Sequence, residues 1–155
     1  MAEIYVSAAL RNKILDALTG RAKNTQIGAG AAYLALSSAA PSYNASGEIT
    51  GITEPTAAGY ARRLLGLSDQ SATLEMSAAS AGKTANADEI HFDQIPAGGS
   101  GWGANATHWA IYSAKTGGTP VAAGALTQAI TLEAGKVVII HKGDLTLGMN
   151  LMSAT

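Results

Sequence analysis

The sequence predicts a mainly β chain, a β-sandwich or jelly-roll-like domain with one amphipathic helix at its N-terminus. Three observations lead there. Apolar residues fall at helical spacing in a single segment near the start, and beyond residue 33 the chain is a succession of short strand signals separated by turn residues. A length of 155 residues also suits one hydrophobic core without covalent staples. The expected organisation is a single domain over 1–155, with a helix in 1–20, a β-domain in 33–148 and a tail in 149–155.

The helix rests on Leu10, Ile14, Leu15 and Leu18, which recur every three or four residues from about Ala8 onward, with Arg11, Asn12, Lys13 and Asp16 between them. Gly20 stands where a helix-ending glycine belongs, and Arg21 and Lys23 follow near the negative end of the dipole, whereas no N-cap is evident. After a Gly/Ala-rich link, Tyr33 to Ser37 reads as a buried strand, closed by Pro41 and a polar loop from Ser42 to Gly47. Strand signals then occupy Tyr60–Leu65, Ala72–Met76, Glu89–Ile95, His108–Ser113, Val121–Leu126, Ala129–Leu132, Val137–His141 and Leu145–Leu147. Ile90 and Phe92 alternate with Glu89, His91 and Asp93, and Leu145 and Leu147 with Asp144 and Thr146, so one face of each is expected inside and the other in water. The Gly98–Gly103 run reads as the most flexible stretch.

Composition narrows the function classes. Charged residues make up 14% of the chain against a usual value of about 25%, and aromatics 5%, so Ala, Ser, Thr, Gly and Asn must carry much of the surface. Charge depletion is also how the centre of a protein interface looks, which predicts self-association or docking on a partner. A net charge of −1 provides no electrostatic footprint for nucleic acid. No stretch approaches 18 apolar residues, and no signal peptide is visible, so neither a membrane span nor export by a cleaved signal is expected. The absence of cysteine removes disulfides and thiolate metal sites.

The residues that could carry chemistry point more readily to structure. Gly82-Lys83-Thr84 resembles the end of a phosphate-binding loop, but position 77, where another glycine is required, is Ser77. Gly98-Gly99-Ser100-Gly101 begins like a nucleophile elbow, yet Trp102 occupies the closing glycine position. His91, His108 and His141 fall on different strands, and a zinc site there would need carboxylates as well. Asp88, Glu89 and Asp93 do not follow the calcium-loop pattern. The Asn44 and Asn105 sequons carry no meaning without secretion. Trp102, Trp109 and Tyr112 offer two readings: rings that anchor a core or interface, the favoured one, or an exposed sugar-stacking platform. No catalytic residue, cofactor site or metal site is expected.

The helix Leu10–Leu18 and the Tyr33-Leu34-Ala35-Leu36 strand come first, then the Gly59-Tyr60-Ala61-Arg62 element and the Asn86–Phe92 strand. Trp102, the Thr107–Tyr112 strand and the Gly124–Gly135 hairpin region complete the order. In that order the chain resembles a family of small tailed-phage virion proteins, labelled as head-decoration or tail-fibre proteins. It departs from them in having Ala40-Pro41 where a Ser/Asp-Pro turn is usual, and in its Met149–Met152 tail. The resemblance implies a non-enzymatic structural role in the virion, with Leu10, Ile14, Leu18, Tyr60, Arg62, Trp102, Trp109 and Tyr112 as candidate interface or fold anchors. Arg62 is the candidate for a carboxylate or backbone-carbonyl partner. The expected partners are the major capsid protein and further copies of the chain. The leading expectation is a capsid decoration (cement) protein; a tail, collar or fibre subunit and a host-glycan-binding module are the alternatives.

Overall fold

The computed structural model of the protein describes residues 4–12, 32–65 and 83–148. Among them the strands are β1 (Ile4–Val6), β2 (Ala32–Ser37), β3 (Ser42–Tyr43), β4 (Ile49–Thr50), β5 (Arg63–Leu65) and β6 (Lys83–Ala85). They continue with β7 (Ile90–His91), β8 (Ala106–Tyr112), β9 (Pro120–Ile130), β10 (Ile139–Ile140) and β11 (Thr146–Gly148). Five strands form an antiparallel sheet in the order β1-β9-β8-β2-β5, and the others pair as β10 with β7, β11 with β6 and β3 with β4. The chain is thus mainly β, with packed sheets and a short helix near its start.

The large sheet is built by period-two alternation on β2 and β8. Leu34 and Leu36 stand opposite Ile111 and Trp109 and project to one face. There they meet Ile90, Phe92, Ile95, Trp102, Leu132, Val138, Ile140 and Leu145, which forms the main core. Each fully buried Leu or Ile contributes about 1.5–3 kcal/mol.

The opposite face is made of alanine. Ala35 pairs with Ala110, and Ala110 with Ala123, so three methyl groups lie in a row across β2, β8 and β9. Small side chains let another layer approach closely, and Ile49 of β4 with Ile52 after it closes this second core. Part of the alanine content that looked like surface in the sequence is therefore interior.

Gly124 sits opposite Trp109, and a Cβ there would stand 2.7 Å from Cζ2 of the indole and 3.0 Å from Cε2. The indole lies across β9, so only glycine leaves it room. Gly124→Ala is expected to destabilise by about 2 kcal/mol through overpacking, read as a lower midpoint in urea unfolding with an unchanged m-value.

Several elements differ from the sequence expectation. Residues 4–6, placed within the helical region 1–20, pair instead with β9 as an edge strand. The helix begins at residue 8 and is described to residue 12; Ile14, Leu15, Leu18 and the Gly20 stop lie outside the described residues. Its N-cap is Ser7, a buried residue whose Oγ accepts from Leu10 N–H at 3.3 Å. Of the Ser42–Gly47 stretch expected as a loop, Ser42 and Tyr43 form β3 and the rest is the turn of the β3–β4 hairpin, shaped by the Asn44 Oδ1 that accepts from the N–H groups of Ser46 and Glu48. Only residues 63–65 of the Tyr60–Leu65 signal are strand, while Val121–Leu126 and Ala129–Leu132 belong mostly to one long strand, β9. The Ala72–Met76 signal and the Met149–Met152 tail fall outside the described residues.

Candidate functional site

The densest polar arrangement lies where the loop before β5 meets the β8–β9 turn. Arg62, next to the first residue of β5, sends Nε and Nη2 to Glu54, with Nη2 2.6 Å from Oε1 and Nε 3.0 Å from Oε2. Its Nη1 donates to the carbonyls of Ala114 at 2.9 Å and Gly117 at 2.7 Å. The guanidinium also lies flat over Tyr112, with Cζ 3.3 Å from the ring centroid. A planar fork can do all of this at once; an ammonium cannot. Only 9% of the Arg62 side chain is exposed, so its charge is spent inside the protein on fixing the turn that joins the two central strands.

Tyr60 extends the arrangement into the main core. Its hydroxyl accepts from Leu36 N–H at 3.0 Å and donates to Glu54 Oε2 at 3.3 Å. Its ring stacks on Phe92 and meets Trp102 edge to face at 5.3 Å. The Trp102 indole N–H in turn donates to Ala58 O at 3.3 Å. Burial, with Glu54 beside it, pushes the Tyr60 phenol above its ordinary range, against the pull of the Leu36 N–H. Burial and Glu54 likewise push Tyr112 up to about 12. For Arg62, burial works against the charge, but the hydrogen-bonded Glu54 carboxylate outweighs it and the net shift is upward. Both phenols thus stay protonated and the guanidinium stays charged, an arrangement that holds shape.

Trp102, Trp109 and Tyr112 are 3%, 2% and 5% exposed. The sugar-stacking platform considered from the sequence required these rings on one open patch. They are enclosed instead, with Trp109 in the main core and Tyr112 on the alanine face under Arg62. The Gly98–Gly103 run, read as flexible, is pinned near its end by Trp102, whose backbone N–H donates to Leu132 O at 2.9 Å.

A second polar arrangement surrounds Asn86, a buried residue. Its Nδ2 donates to the carbonyls of Asp88 at 2.7 Å and His141 at 2.9 Å, and its Oδ1 accepts from Gly143 N–H at 3.0 Å and Leu145 N–H at 2.9 Å. One amide thereby replaces a stretch of backbone ladder between β6 and the 141–145 turn. Asn86→Ala is expected to cost about 2 kcal/mol, because it leaves the buried Leu145 N–H and the Asp88 and His141 carbonyls to find other partners; thermal unfolding followed by circular dichroism reads it.

The three histidines divide. Glu89 receives His141 Nδ1 at 2.9 Å and His91 Nε2 at 3.1 Å on an exposed surface. Hydrogen bonding to His141, then to His91, holds the Glu89 carboxyl below its usual range, and Glu89 in turn raises His141. His108 stands apart beside Thr107 and is pushed down by burial. Among the described residues no group of three or more His, Asp or Glu side chains is arranged to hold a metal ion, and no helix is long and apolar enough to cross a membrane. Asp93 pairs with Arg63, and Lys83 and Thr84 lie in a strand rather than at a strand-to-helix turn.

Of the candidate anchors, Tyr60, Arg62, Trp102 and Tyr112 converge around Glu54 and the β8–β9 turn, and Trp109 lies across the main core. Leu10 is half-buried at the helix start, and Ile14 and Leu18 lie outside the described residues. Glu54, Asn86 and Gly124 were not singled out by the sequence.

Comparison with known proteins adds one finding. No curated protein matches the chain. The family described as Podophage GP4 fiber I protein gp80 matches residues 5–148, nearly the whole length and all of the large sheet from β1's second residue onward. The chain therefore belongs to this podophage fibre-protein family, and it is a β-rich structural protein of the phage virion.

Proposed function

We infer that the chain is a non-enzymatic structural subunit of the phage fibre, present in repeated copies and contacting other copies of itself. The observation that carries this reading is the family match over residues 5–148. The physical character of the molecule supports it. Arg62, Glu54, Tyr60 and Asn86 are all engaged in holding turns and strands, and a surface with few charges suits contacts that bury little charge.

The capsid-decoration reading, with the major capsid protein as partner, draws on the same poverty of charge but has no further observation of its own. The burial of Trp102, Trp109 and Tyr112 weighs against a glycan contact through these rings. To separate fibre from head, virions are disrupted gently, heads are resolved from tails with their fibres, and peptides of this chain are quantified in each fraction by mass spectrometry. The fibre reading predicts enrichment with the tails; enrichment with the heads would replace it by decoration.

A further inference from the structure

On the β1 edge of the large sheet, the outward backbone groups of Val6 are capped by one side chain among the described residues. Ser7 N–H donates to Val121 O across the β1–β9 pair, so by alternation Val6 turns its N–H and C=O outward, away from β9. Both groups meet the same atom: the Tyr43 hydroxyl accepts from Val6 N–H at 2.8 Å and donates to Val6 O at 3.1 Å. A phenol is suited to this, since one oxygen serves as donor and acceptor together.

Tyr43 is held in place by the hairpin that carries it. Gly47 O accepts from Ala8 N–H at 3.0 Å and Glu48 Oε1 from Ala9 N–H at 3.3 Å, so the hairpin also satisfies the first turn of the helix. The Arg11 guanidinium lies 5.4 Å from the Tyr43 ring centroid and completes the clasp.

We propose that the Tyr43 hydroxyl is a lock on the β1 edge: while it caps Val6, no further strand can pair there, and when it is removed the edge pairs with β1 of a second copy. A second copy is the occupant because two β1 strands meeting antiparallel about a two-fold axis place Val6 opposite Val6, where each N–H finds the other's C=O. Exposed strand edges invite such pairing, and proteins close them with local devices. In a chain assembled in many copies the lock confines association to other surfaces, so this inference adds to the fibre reading without depending on it.

The test uses the full chain. In the wild type, hydrogen exchange is expected to find the Val6 amide protected; in Tyr43→Phe diluted until it no longer associates, it exchanges about tenfold faster, in line with the loss of one hydrogen bond. Size-exclusion chromatography with light scattering, at matched concentration, is expected to show a mass at least doubled for Tyr43→Phe relative to wild type. Val6→Pro in the same background removes the outward N–H and returns the mass to the wild-type value. The proposal is overturned if the wild-type Val6 amide exchanges unprotected, a result that does not rely on any variant folding. It is equally overturned if Tyr43→Phe keeps the wild-type mass, or if its added association survives Val6→Pro.

Discussion

Arg62→Ala is expected to cost about 4 kcal/mol and to lower the melting temperature by roughly 10 °C. Three losses coincide at this position. The Glu54 carboxyl is left in a partly buried site without its cation, the Ala114 and Gly117 carbonyls lose their donor, and the Tyr112 ring loses the group packed over it. Arg62→Lys restores the charge but not the fork, and should recover less than half of the loss. Differential scanning calorimetry of the wild type and both variants checks the order. If Arg62→Ala melts within a degree or two of the wild type, Arg62 is not what holds the β8–β9 turn.

Gly101→Ala is expected to be as damaging, at about 4 kcal/mol, for a different reason. Gly101 has φ of +75°, and a Cβ there would overlap the Leu132 carbonyl oxygen and come within 2.9 Å of Ala134 N. Both obstacles are backbone, so neither can rotate away, and the Leu132 oxygen is already fixed by Trp102 N–H. Gly98, three residues earlier, has open space around it and no positive φ. Gly98→Ala should therefore leave stability within about 0.5 kcal/mol of the wild type, which makes it the internal control. Guanidinium unfolding of the two variants separates them, and equal stabilities would contradict the packing described for this loop.

The two variants also show where sequence reading succeeds and where it stops. The alternation of Ile90 and Phe92 with Glu89, His91 and Asp93 was visible because a half-buried strand imposes a period of two, and Tyr33 to Ser37 was legible as a buried strand, whose Leu34 and Leu36 are enclosed. The strand at Ile4–Val6 was hidden because three residues are too short for a period, and what holds them is β9, more than a hundred residues away. The glycine-rich run suggested mobility, since glycine composition alone cannot distinguish a free loop from one whose backbone is pressed against another segment of the chain. Arg62 was legible as a residue in need of a carboxylate or carbonyl partner; which partner it has was not, because Glu54 and Gly117 reach it through the folded chain rather than through any sequence spacing. Asn86 had no signal either, as a single amide between strand segments looks like any turn residue until the 141–145 turn folds onto it. Alanine composition deceived in the opposite sense: alanine was expected to carry much of the surface, yet Ala35, Ala110 and Ala123 form a buried row.

These observations describe a molecule whose polar side chains are largely turned to holding its own turns and edges; among the described residues no buried side-chain polar atom lacks a partner. That is the character of a structural part, consistent with the fibre family to which the chain belongs. If the chain is built into the fibre, electron microscopy of particles assembled without it shows DNA-filled heads of normal heat stability whose fibres are missing or truncated. Complete fibres on heads that rupture at lower temperature would contradict the fibre reading and place the protein on the capsid.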